Sequence, residues 1–122
     1  MNSVAEERLV TLIAESARGP QREGLFALWL VVRAAEGLLP PAPVSVKNHR
    51  RRLQALESRL GSLALPAPLK RALTAARQHL ESATPDAAAI VLSQLTAPAR
   101  DVLGVEAAEA VTVAARGAKL HL

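Results

Sequence analysis

Eight prolines and six glycines divide this sequence into segments of about the length of a helix. Proline lacks the amide donor that a helix interior needs, and glycine favours the conformations that end helices. The segments between them are rich in alanine (25) and leucine (20), while β-favouring aromatic residues are nearly absent. We therefore predict an all-α fold: a compact bundle of five to six helices joined by short Pro/Gly connectors, forming one domain over residues 1–122.

Cap residues and prolines predict where each helix begins and ends. We expect helices from Ser3 to near Gly19, from Pro20 to about Glu36, from Ser45 to near Gly61, from Pro68 to Ser82, and from Thr84 to Pro98. Pro98 should end or kink the fifth helix, because its ring clashes with the carbonyl one turn earlier. A last helical region is predicted from Pro98 to Arg116, divisible at Gly104, with a frayed tail over residues 117–122.

Apolar residues at helical spacing predict the core. The third helix carries a seam with steps of three and four residues: Val46, His49, Leu53, Leu56, Leu60 and Leu63. A coiled coil and a helical hairpin within one bundle explain this seam equally well. The first helix has its own apolar stripe, formed by Leu9, Leu12, Ile13 and Ala17, and the fourth has another, formed by Leu69, Leu73, Ala76 and Leu80.

The positive charge is concentrated in the third and fourth predicted helices. Residues 47–80 contain eight Lys and Arg against one Glu, a net charge of +7, whereas residues 1–46 carry −1 and residues 81–122 carry −2. On a helical wheel these charges avoid the leucine faces, so both basic stripes can face solvent on one side. The predicted anion- or nucleic-acid-binding residues are Lys47, Arg51, Arg52, Arg59, Lys70, Arg71 and Arg77.

A basic block of this kind has four interpretations. It can be a solvated polar face, or it can bind an acidic protein, nucleic acid or an anionic membrane surface. Proteins that bind single strands usually stack bases on aromatic rings, but both rings of this chain lie in the second helix, far in sequence from the block. Nucleic-acid contact would therefore be mostly with the sugar-phosphate backbone and sensitive to salt.

The second helix is apolar almost all the way round between Leu25 and Val32. Such a helix is usually enclosed by others, which is one interpretation. The other is a binding face, because the only two aromatic side chains of the chain point the same way as its arginines, and Trp with Arg is typical of interface hot spots. The predicted partner-binding residues are Arg22, Phe26, Trp29 and Arg33.

The sequence indicates no catalytic or metal chemistry. Cysteine is absent, and the histidines His49, His79 and His121 are scattered without metal-ligand spacing. No nucleophile-elbow, phosphate-loop or dinucleotide motif is present, so we expect no enzyme, cofactor or small-molecule substrate. The longest apolar run is too short to cross a bilayer and no signal peptide is visible, which predicts a soluble, cytoplasmic protein.

The sequence leaves two candidate functions. The first is a non-catalytic helical protein–protein interaction module, such as an adaptor, a scaffold or a small subunit of a larger assembly, with self-association as a homodimer included. The alternative is a helical nucleic-acid-binding accessory subunit that contacts the phosphate backbone through residues 47–80.

Overall fold

The computed structural model describes residues 3–120, which form six helices and contain no strand. The helices are α1 (Val4–Glu15), α2 (Pro20–Glu36), α3 (Val46–Ser62), α4 (Ala67–His79), α5 (Pro85–Leu103) and α6 (Val105–Lys119). The predicted all-α bundle is confirmed. Four of the five connectors contain proline or glycine, and the exception is residues 80–84 between α4 and α5.

Three helices begin at the predicted cap residues. The hydroxyl of Ser3 accepts a hydrogen bond from the amide of Glu6 at 3.1 Å, and the hydroxyl of Ser45 accepts one from the amide of Asn48 at 3.2 Å. Thr84 caps α5 in the same way. Each bond satisfies an amide that the first turn of a helix leaves without a backbone acceptor, so these starts are determined locally.

Helix α2 is the centre of the bundle. It contacts all five other helices, and the side chains of Leu28, Val31 and Val32 are completely buried. The first interpretation of its apolar composition, enclosure by the other helices, therefore holds for most of its surface. The side of α2 that carries Phe26 and Trp29 is only partly covered.

The leucine seams of α3 and α4 enter the core as predicted, and His49 with them at 2% exposure. The exception is Val46, which is 60% exposed. Val46 is the first residue of α3 and lines an open cavity, so no other side chain covers it fully. Its assignment to the buried seam is therefore wrong.

The break between the last two helices falls at Gly104 and not at Pro98. Pro98 lies inside α5, where the flanking Leu95 and Ala99 are buried in the core. A proline removes one amide donor, and here the core packing outweighs that loss. At Gly104 the amide donates to the carbonyls of Ala99 and Arg100, and a φ of 102°, which favours glycine, turns the chain into α6.

Both ends of the chain differ from the prediction. Helix α1 ends at Glu15, so Ala17 lies beyond it and is exposed. Helix α6 continues to Lys119, and the frayed tail predicted over residues 117–122 is wrong for residues 117–119, because Ala118 is fully buried and anchors the last turn. Residues 121 and 122, and with them His121, lie outside the described residues.

Candidate binding surface on helices α2 and α3

Two aromatic rings and two guanidinium groups meet where α2 packs against α3. The ring centroids of Phe26 and Trp29 lie 5.7 Å apart. The guanidinium carbon of Arg33 lies 5.5 Å from the centroid of Trp29, and that of Arg59 lies 5.5 Å from the centroid of Phe26. Each ring therefore carries a cation within the range of a cation–π interaction. We call these four residues the aromatic–arginine surface.

Helical periodicity explains how the sequence assembles this surface. Phe26, Trp29 and Arg33 follow each other at steps of three and four, which places them on one face of α2. Arg59 extends from α3 onto that face. Of the predicted partner-binding residues, Arg22 lies one turn before Phe26 and is half-buried, and within residues 3–120 it forms no hydrogen bond or ion pair.

Trp29 is half-buried and packs against the core, but its indole nitrogen is unsatisfied. Nε1 is shielded from solvent, and no acceptor among the described residues lies within hydrogen-bond distance. A shielded donor without an acceptor costs about 1–3 kcal/mol, so native structures rarely retain one. The described residues therefore leave this shielded N–H without an acceptor.

Arg52 is a structural residue rather than a free cation. Its Nη1 donates to the backbone carbonyl of Arg33 at 3.1 Å, in the last turn of α2, and the same carbonyl also accepts from the amide of Gly37 at 3.0 Å. Burial lowers the pKa of the Arg52 guanidinium, and the nearby charge of Arg33 lowers it further, against the opposing effect of Glu6. The prediction that Arg52 belongs to a solvent-facing basic stripe is thus at odds with its half-buried contact with the backbone of α2.

Arg77 is also engaged internally. Its guanidinium pairs with Glu57 at 3.0 Å and with Glu81 at 2.6 Å, and its side chain is only 19% exposed. Two carboxylates neutralise it, so little positive charge remains there for an anion. The pair with Glu57 has no sequence signal because Glu57 lies on a neighbouring helix, whereas Glu81 stands four residues after Arg77, a spacing at which helical side chains meet.

The other predicted basic residues are exposed. They are Lys47, Arg51, Arg59, Lys70 and Arg71. Arg59 turns toward α2, whereas Arg77 and its carboxylate partners occupy the α3–α4 side. Arg50 is exposed as well, and sequence analysis missed it although it stands within the run of cations at 50–52.

His49 lies at the base of an open cavity of about 290 Å³ between α3 and α4. Its Nε2 is 2.8 Å from the carbonyl oxygen of Leu80, which makes Nε2 the protonated nitrogen that donates this bond. Its Nδ1 is shielded and has no partner in residues 3–120. The ring thus links the two helices, in keeping with the prediction of a packed residue.

No cluster of three or more metal-ligating side chains occurs in the part of the chain that the structure describes. None of the six helices is both long enough and apolar enough to cross a bilayer. No protein-family model, curated protein or solved structure matches this chain.

Proposed function

We propose that this chain is a non-catalytic protein–protein interaction module that binds an acidic partner through the aromatic–arginine surface. The observation that carries the proposal is the half-buried Trp29, which lies under Arg33 and beside Phe26 on a partly exposed face of α2. Trp and Arg together dominate interface hot spots, because they combine a large apolar area with directional donors.

The charge of this surface favours a carboxylate-bearing partner. Arg33 and Arg59 stand over the two rings, and no carboxylate of residues 3–120 lies within ion-pair distance of either guanidinium. A partner carboxylate can pair with both donors of a guanidinium while an apolar side chain covers the rings. Charge complementarity of this kind raises the rate of association and selects among partners.

Nucleic-acid binding is the second candidate, and one observation favours it. The cation–π contact of Arg59 with Phe26 brings the aromatic rings next to the basic block, from which they are distant in sequence. Rings beside exposed cations suit a single strand, whose bases stack and whose phosphates pair with arginine.

Affinity capture from the native host, with and without nuclease, separates the two functions. We expect Arg59→Glu to abolish capture of the partner and Arg71→Glu, a matched reversal of an exposed arginine on α4, to leave it intact. A protein that is still captured after nuclease treatment supports the interaction module. Loss of the captured material on nuclease treatment, together with a steep fall in binding as salt rises, would instead establish the nucleic-acid function.

A further inference from the structure

A second polar site lies at the end of the bundle where α1 begins and α2 ends. An open cavity of about 420 Å³ is bounded there by α1, by the last turn of α2, by the connector 37–45 and by α3. Its charged lining consists of two carboxylates, Glu6 and Glu36, and two guanidiniums, Arg33 and Arg52. Leu39, Pro40 and Val44 supply an apolar wall.

Glu6 is the least expected member of this lining. It is only 9% exposed, yet its carboxylate accepts no hydrogen bond and forms no ion pair within residues 3–120. The burial belongs mainly to the aliphatic part of the side chain, since its carboxylate oxygens are not among the shielded atoms. The charge of Glu6 is therefore open to the cavity, where a cationic group of a ligand can pair with it.

The second carboxylate has one donor. The hydroxyl of Ser3 donates to Oε1 of Glu36 at 2.7 Å. Burial raises the pKa of Glu36, the bond from Ser3 opposes this rise, and the charge of Glu6 adds to it. Two carboxylates thus share one partly desolvated site, which favours a ligand that brings positive charge.

The guanidiniums of the cavity retain free donors. Arg52 uses Nη1 for the carbonyl of Arg33, and a guanidinium has five N–H groups in all. No carboxylate of the described residues lies within 4.0 Å of either guanidinium. The cavity therefore contains positive and negative groups that form no ion pair with each other.

This arrangement selects one class of ligand. Two guanidiniums oppose a simple cation, and two carboxylates oppose a simple anion. We propose that the cavity binds a small zwitterion, a free α-amino acid, with its ammonium group toward the two carboxylates and its carboxylate toward the two guanidiniums. The apolar wall then receives the amino-acid side chain. This site is separate from the proposed protein-binding surface except for Arg33, which borders both.

Trp29 supplies a built-in reporter for this site. It is the only tryptophan of the chain, and it lies 5.5 Å from the guanidinium carbon of Arg33. Titration of the purified protein with glycine, leucine, glutamate and lysine should produce a saturable change of Trp29 fluorescence with at least one of them, confirmed by calorimetry. Acetate alone, methylammonium alone and their mixture should produce none, because neither half presents both charges in one molecule.

Two variants test the assignment of the carboxylates. Glu6→Gln retains the shape of the side chain and removes its charge, and we expect it to weaken amino-acid binding by about tenfold or more. Glu15→Gln, an exposed position at the end of the same helix, should bind as the original protein does. Glu36→Gln provides the same test if Glu6→Gln does not fold.

Three results would overturn the proposal. The first is the absence of a saturable response to every amino acid in the panel. The second is unchanged amino-acid binding by Glu6→Gln and Glu36→Gln. The third is saturable binding of acetate or methylammonium alone, which would make the cavity an anion site or a cation site.

Discussion

The α5–α6 hairpin differs from the α2–α3 contact in how its side chains are packed and hydrogen-bonded. The α5–α6 pair is the most extensively packed in the bundle, and buried alanines such as Ala99, Ala110 and Ala114 let its helices approach closely. The shielded side-chain nitrogens without a hydrogen-bond partner in residues 3–120 belong instead to α2, α3 and α4: Nε1 of Trp29, Nδ1 of His49 and Nε of Arg77. Small apolar residues complete the α5–α6 contact by themselves, whereas the large polar residues of α2 and α3 leave some of their polar groups unpaired.

The largest effect should come from the leucine seam that holds α3 against the core. Leu56→Ala deletes a completely buried side chain and should lower the free energy of unfolding by about 2–5 kcal/mol. Chemical denaturation measures this directly. Leu53→Ala and Leu60→Ala should also destabilise the fold, and three unchanged midpoints would show that the seam lies outside the core.

The α5–α6 contact should be destabilised by added side-chain volume, whereas the α3 seam is destabilised by deleted volume. Ala110 is completely buried, so Ala110→Leu should cost about 1–3 kcal/mol by overpacking. Ala97→Leu adds the same volume at an exposed position of α5 and serves as the control. Equal thermal stability of the two variants would contradict close packing between these helices.

The structural role of Arg52 predicts a difference between adjacent arginines. Arg52→Ala removes the donor to the Arg33 carbonyl and should cost about 1–2 kcal/mol, whereas Arg51→Ala, on the exposed side of α3, should change stability by less than about 0.5 kcal/mol. Urea denaturation of the two variants provides the comparison. The same cost for both would place Arg52 among the free surface cations.

The smallest effect concerns pH. Because the pKa of Glu36 is raised on folding, the folded state holds its proton more tightly than the unfolded state does. The contribution of Glu36 to the free energy of unfolding is therefore fully present when the pH is below the pKa of the unfolded state. It is lost as the pH rises through the pKa of the folded state. Glu36→Gln should be slightly more stable than the original protein at neutral pH, and melting curves should converge as the pH falls to acidic values. A difference in melting temperature that increases at acidic pH would contradict a raised pKa of Glu36.

Local sequence determined much of the fold. Ser3, Ser45 and Thr84 cap the helices predicted from them, and the leucines of α3 and α4 lie in the core as their spacing predicts. These features depend on residues three or four positions apart, which a helix brings together whatever the rest of the chain does. The charge and apolar patterns likewise identified the face of α2 that remains partly exposed.

Only the tertiary structure decided which polar residues are free. Arg52 and Arg77 were predicted to belong to a basic stripe, yet a carbonyl of α2 engages Arg52 and a carboxylate of α3 engages Arg77. The second partner of Arg77, Glu81, is local, because it lies four residues later in the chain. The juxtaposition of Glu6 with Glu36 at one cavity left no trace in the sequence. Helical periodicity specifies the direction of a side chain from its own axis, but its neighbours depend on how separate helices pack, and that packing determines the charge and hydrogen bonds left for a ligand.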